Sequence, residues 1–280
     1  MRAGKGCTLI SLKVERYLEI TSKENPRFRS FVALHDRKVA RAQGKVFIEG
    51  LRLCEDALLS GLAPETVLFR KGKEDLLKEW EKKYPNLSGV EKFAFSENLF
   101  SKIAQTVNPQ GIALVVRNPG EQNMVSFDDE HARFIVLEHL QDPGNMGTII
   151  RMADAFGYTS VLFTEDSVDP YNEKVLRASM GSCFHIPLIS FPDSASILDK
   201  LGSAGIPSIG AHLNGEDLRT VHLPSRAALW IGNEANGLSV TTSSVCDILG
   251  KIPMPGRAES LNAASAASIL GYLLAFGSDS

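Results

Sequence analysis

Three stretches in the second half of the 280-residue chain combine amides, an acid and a guanidinium with glycine and proline. The first runs from Leu137 to Arg151 and contains Asp142-Pro143-Gly144-Asn145-Met146-Gly147. Pro143, Gly144 and Gly147 are expected to shape a tight turn, after which a helix buries Ile149, Met152, Ala153 and Phe156 at i, i+3, i+4 and i+7. Arg151 then falls roughly 200° from Ile149, off the apolar stripe. Near a helix amino terminus, where free N–H groups and the dipole favour negative charge, its guanidinium could face an anion. The second stretch, Trp230-Ile231-Gly232-Asn233-Glu234-Ala235-Asn236-Gly237-Leu238, runs from an apolar strand into Gly232, where a ligand can approach the backbone, and sets the acid Glu234 at the mouth of a turn. The third, Lys251-Ile252-Pro253-Met254-Pro255-Gly256, is a stiff loop leading to Ser260-Leu261-Asn262 and an Ala/Ser-rich helix that Ser260 or Asn262 could cap. Each residue also has a plain structural use: Asn145 as a cap, Arg151 in a surface ion pair, Glu234 as a solvated turn carboxylate.

The elements that must position these loops follow from periodicity. Phe134–Leu137, Ser160–Phe163, Ile186–Ile189, Pro207–Ala211, Ala228–Ile231 and Lys251–Met254 read as short apolar strands. Helices are expected at Thr148–Phe156, Glu173–Ser179, Ala195–Leu201 and Leu261–Phe276. Continuous apolar strands alternating with helices indicate an α/β fold with a mostly parallel sheet covered on both faces, whose ligands bind in loops at the carboxyl ends of strands. The first half reads as a smaller α/β unit, with strands at Val46–Gly50, Thr66–Phe69 and Gly111–Arg117 and helices at Leu51–Leu59, Lys71–Tyr84 and Glu97–Ile103. We divide the chain into an extension (1–20), an amino-terminal domain (21–120), a linker (121–130) that follows the break at Asn118-Pro119-Gly120, and a carboxyl-terminal domain (131–280).

Charge separates the halves. Residues 1–120 carry 21 Lys and Arg against 14 Asp and Glu, or +7; the remainder carries 9 against 19, or −10, which together return the −3 of the whole chain. The basic stretch Arg27, Arg29, Arg37, Lys38, Arg41 and Lys45, interrupted by the single acid Asp36, marks the first domain as the one to meet a polyanion such as RNA, although such runs also serve as solvated helix faces. No apolar run approaches the roughly 20 residues of a membrane span. Polar residues interrupt the first dozen before a signal-peptide core can form. The expected setting is cytoplasmic. Cys7, Cys54, Cys183 and Cys246 are scattered without metal-ligand or disulfide spacing, so no metal site is expected.

On Asp142-Pro143-x-Asn145-x-Gly147-x-Ile149-x-Arg151, Ile231-Gly232-Asn233-Glu234-x-x-Gly237-Leu238, and Ile252-Pro253-Met254-x-Gly256 with Ser260-Leu261-Asn262, the chain resembles the SpoU/TrmH family of RNA ribose 2′-O-methyltransferases, within the SPOUT superfamily. Upstream, Ser22-Lys23-Glu24-Asn25-Pro26 and Phe47-Ile48-Glu49-Gly50 are similar to the family's substrate-binding domain, which has a ribosomal-protein-like fold. The resemblance implies a trefoil-knotted catalytic domain, a homodimer with the cofactor pocket close to the subunit interface, and S-adenosylmethionine as methyl donor. By position, Gly232, Ile252 and Leu261, with Gly210 and Met254 as weaker candidates, would contact the cofactor, and Asn145, Arg151, Glu234, Ser260 and Asn262 would form the reaction centre. One departure is that Ala263-Ala264-Ser265-Ala266 follows Asn262 where the family has Val-Ser-Val-Ala.

Methyl transfer to a ribose hydroxyl depends on in-line positioning and on loss of the hydroxyl proton. A guanidinium with a pKa above about 12 is a poor base. Arg151 is therefore expected to stay charged, orient the nucleotide's phosphate and stabilise developing oxyanion character, with Asn145 holding Arg151 or the ribose. A phosphate oxygen, water or Glu234 would take the proton. The nucleophile restricts the substrate to RNA rather than DNA, and the resemblance to two-domain members of the family implies large-subunit rRNA. The alternatives are a tRNA 2′-O-methyltransferase and a catalytically silent RNA-binding or ribosome-assembly factor. A dinucleotide-dependent oxidoreductase would need a GxGxxG after a strand, which is absent.

Overall fold

The computed structural model describes residues 17–122 and 124–277. The amino-terminal unit contains, in chain order, β1 (Leu18–Ile20), α1 (Pro26–Ala33), α2 (Arg37–Ala42), β2 (Lys45–Glu49), α3 (Leu51–Leu59), β3 (Pro64–Arg70), α4 (Glu74–Lys83), β4 (Glu91–Phe95), α5 (Glu97–Ile103) and β5 (Ile112–Arg117). Its sheet has the order β1-β4-β3-β5-β2, with β5 antiparallel to both neighbours. The Asn25 side chain accepts the Arg27 N–H ahead of Pro26 at the first turn of α1, and Asp36 caps α2 in the same manner. These caps present Phe28, Phe31 and Leu34 to Phe47, Phe93 and Phe95 on one face of the sheet. Leu18–Ile20, read from sequence as part of the extension, instead pairs in parallel with β4, because buried Ile20 completes that apolar face.

The carboxyl-terminal unit contains β6 (Arg133–Leu137), α6 (Pro143–Ala155), β7 (Ser160–Thr164), α7 (Glu173–Ser179), β8 (Leu188–Phe191), α8 (Ser194–Ser203), β9 (Ser208–Asp217), β10 (Ala227–Ile231), α9 (Val240–Val245), β11 (Ile248–Lys251) and α10 (Ala263–Phe276). Its six strands are all parallel, in the order β11-β9-β10-β6-β7-β8. Side chains alternate between faces: Phe134 and Val136 of β6 join Leu162, Ile197 and Trp230, whereas Ile135 and Leu137 join Ile149, Val161 and Leu229. The second of these clusters, which includes Leu176 of α7, continues into the first unit through Val46 and Ile48 of β2, so the two units share one apolar core.

Helix α6 begins at Pro143, five residues before the expected Thr148, and the anticipated tight turn is its first turn. Asp142 caps it by accepting the Asn145 N–H at 2.7 Å, and Pro143 occupies the first helical position. Gly147 is inside the helix, where an added Cβ would lie 2.5 Å from the Ala178 Cβ and 2.8 Å from the Val175 carbonyl oxygen of α7. The last strand ends at Lys251 rather than Met254, and α10 starts at Ala263. Cys54 and Cys183 are buried, Cys246 is half-buried, and all three are free thiols; Cys7 lies outside the described residues. Among the described residues no helix is long and apolar enough to cross a membrane.

Candidate active site

Strands β6 and β10 are neighbours in register, Leu137 opposite Ile231, so the loops leaving their carboxyl ends face one another. Glu234, from the loop after β10, accepts the Asp142 N–H at 2.8 Å, the Gln141 N–H at 3.2 Å and the Asn145 side-chain amide at 3.2 Å. Burial alone would raise the Glu234 carboxyl; hydrogen bonds from Asp142, its own N–H, Asn145 and Gln141 outweigh it and hold the group below the ordinary carboxylate range. Asn262 donates from Nδ2 to Oδ1 of buried Asn145 at 2.8 Å, while its own Oδ1 accepts the N–H groups of Ala264 and Ser265. It therefore caps α10 and also joins the cluster. Three segments separated by up to 117 positions thus meet through directional bonds.

Beside this cluster lies a cleft of about 390 Å³, bounded by Ala211–Asn214, the 231–238 loop, Gly250–Ile252, Met254, Ser260, Leu261 and the first turns of α10. Its walls mix apolar side chains (Ile231, Leu238, Ile252, Leu270) with polar ones (Asn214, Asn233, Ser260), as a ligand with a flat apolar part and polar ends requires. At Gly232 an added Cβ would lie 2.1 Å from the Gly237 carbonyl carbon, so only glycine lets the 232–237 turn close and wall the cleft with backbone. Gly232, Ile252, Met254, Leu261 and Ser260 line the cleft. Gly210 does not; it packs under Leu238, Leu249 and Cys246, one residue before the lining begins at Ala211.

Arg151 is not bonded to the Asn145–Glu234–Asn262 cluster. It shares the exposed side of α6 with Gly144, Thr148 and Ala155, and makes no hydrogen bond or ion pair among the described residues. Of the basic residues proposed for RNA, four are engaged within the chain. Arg27 pairs with Glu91 at 2.7 Å and Arg29 with Glu24. Arg37 reaches Asp169 and the Ser167 carbonyl, both at 3.4 Å, and Arg41 reaches Glu165 at 3.3 Å, so these two join α2 to the catalytic unit. Lys38 is exposed on α2 with no ion pair among the described residues.

Sequence reasoning missed Glu138. This buried carboxylate, last before the first loop, accepts from the hydroxyls of Ser194, Ser239 and Thr242 and from the Ser239 N–H, at 2.5–3.0 Å. These donors overcome the opposing effect of burial and hold its carboxyl below the ordinary range. It pins the segment after the 232–238 loop. A charged residue directly ending an apolar strand was the available signal.

Residues 132–272 match the SpoU rRNA Methylase family, and residues 25–114 match the MRM3-like substrate binding domain. The 23S rRNA (guanosine(2553)-2′-O)-methyltransferase RlmP of Bacillus subtilis is 34% identical over 259 residues, covering 91% of this chain and 98% of that protein. The AdoMet-bound rRNA methyltransferase from Sinorhizobium meliloti superposes with a TM-score of 0.78 at 30% identity over 92% of this chain and 96% of its own. The SpoU methyltransferase AviRb from Streptomyces viridochromogenes, solved in complex with AdoMet, gives 0.79 at 28% identity over 90% and 97%.

Proposed function

The chain belongs to the SpoU rRNA methylase family, and from that premise we propose that it transfers a methyl group from S-adenosylmethionine to a ribose 2′-hydroxyl of large-subunit rRNA. The observation that carries this reading is the closure of Glu234, Asn145 and Asn262 into one bonded cluster beside the cleft. The cleft's apolar walls and backbone edges fit the methyl donor, with Gly232, Ile252, Met254 and Leu261 holding it. When bound, it supplies an electrophilic methyl group on a sulfonium.

The chain's own residues then divide the work. Glu234 is a poor base, since its oxygens are occupied by donors and its carboxyl is held low; its role is to fix the first turn of α6. The Asn145 amide bridges Glu234 and Asn262, so it keeps the three loops in register rather than gripping Arg151. Arg151, a guanidinium with no ion pair among the described residues, meets the nucleotide's phosphate and the developing oxyanion. A phosphate oxygen or water takes the proton.

A second copy of the chain is the partner we assign to the exposed apolar row Ile269, Tyr272 and Phe276 along α10, where Phe156 packs its ring on Tyr272 and Phe276. Sedimentation at micromolar concentration reads that assembly directly. The function itself is tested by mapping 2′-O-methylation in total RNA from cells with and without the gene. One large-subunit rRNA site should disappear and return on complementation; an unchanged map would leave an RNA-binding factor without turnover.

A further inference from the structure

His139 follows the end of β6 by two residues and has φ +54°, a left-handed conformation that side chains with a Cβ rarely adopt. Three bonds hold it there: its N–H donates to the Thr164 hydroxyl at 3.0 Å, and its carbonyl accepts from the side-chain amides of Asn233 at 2.9 Å and Gln141 at 3.3 Å. Asn233 adjoins Glu234, so the residue is tied directly to the catalytic cluster. Its imidazole is about half exposed and bonds through Nδ1 to Asp166, whose other oxygen accepts from Thr164 at 2.6 Å. Nε2 has no partner among the described residues.

Asp166 belongs to an acidic loop that lies between the catalytic cluster and α2. Of the loop's three carboxylates, Glu165 is paired with Arg41, Asp169 with Arg37 and Asp166 with His139. RNA reaching from exposed Lys38 to the methylation site has to cross this loop, which would repel phosphate if its carboxylates were bare. His139 is the partner of Asp166 on the catalytic side. The other side chains bonded around it, Thr164, Gln141 and Asn233, are uncharged.

We propose that His139, seated by Asp166, is a substrate-contacting residue that donates through Nε2 to an RNA phosphate beside the methylated nucleotide. The proposal rests on the rRNA methyltransferase reading and adds a contact to it. Backbone strain supplies a discriminating variant, because glycine adopts φ +54° more readily than histidine. His139→Gly should melt no lower than wild type and bind S-adenosylmethionine unchanged. Its affinity for deproteinised large-subunit rRNA, measured at about pH 6, should fall about three- to tenfold. The slope of log affinity against log salt should shrink by about 0.7, one phosphate contact on a single strand. His139→Arg, which keeps a cationic donor, should restore the slope. Wild-type affinity and slope in His139→Gly, or no restoration by arginine, would overturn the proposal. If wild-type protein itself transfers no methyl group to rRNA lacking the modification, the functional reading fails; if it does and His139→Gly matches it in binding, only the histidine contact fails.

Discussion

The carboxyl ends of β6 and β10 and the seam between α2 and the 165–169 loop are both built on carboxylates, yet they are held in opposite ways. At the strand ends, Glu138 and Glu234 are each surrounded by neutral donors at 2.5–3.2 Å, with no cation in the bonded shell. At the seam, the arginine side chains of Arg37 and Arg41, 49% and 57% exposed, reach their carboxylates at 3.3–3.4 Å. Neutral donors at fixed angles define positions, as a reacting centre requires. Exposed ion pairs contribute little to stability and rearrange readily, which suits the RNA-facing role proposed for this surface.

The largest effect is expected where neither arrangement operates. Arg151→Ala should lower single-turnover methyl transfer by about 10²–10³-fold, the scale of losing one transition-state donor, while leaving the melting temperature unchanged because the guanidinium has no partner among the described residues. A matching loss of stability would move Arg151 from chemistry to architecture.

Glu138→Gln comes next. Mispairing one buried acceptor with its four donors should cost about 1–3 kcal/mol by denaturant unfolding at neutral pH. Both strand-end carboxyls are held below their unfolded values, so their contribution is complete above the ordinary glutamate pKa of about 4.3 and is lost as pH falls through the folded values. Removing the Glu138 charge should therefore flatten the acid limb of stability against pH; an unchanged limb would contradict the assignment.

The smallest effect is Arg41→Ala, expected to cost about 0.2–1 kcal/mol and less at high salt. A larger, salt-insensitive loss would show that the seam is fixed in the same way as the site.

Asn145, Glu234 and Asn262 could be named only through the resemblance carried by the three motifs, since taken singly each also reads as a cap or a turn residue; the bonds that join them span up to 117 positions. Helix α6 was started late because Pro143-Gly144 has the same composition at a turn as at a helix start, and only the Asp142 cap distinguishes them. The basic run on α2 was legible as charge but not as pairing, since Glu165 and Asp169 lie more than 120 positions away. His139 carried no signal at all: its partner is set by the loop after β7, and its φ by bonds to two other segments of chain.

The close packing at Gly147 has a mechanical consequence. Helix α6, which carries Asn145 and Arg151, rests on α7 without room for one methyl group, and just beyond α7 an added Cβ at Gly181 would stand 2.8 Å from Oδ2 of Asp56 in α3. The tightest point on this path is the backbone contact between α6 and α7, which leaves little room for a push on the first unit to be absorbed. A load applied when rRNA docks there should travel as a rigid displacement to the guanidinium, making the pair of helices a lever rather than a cushion.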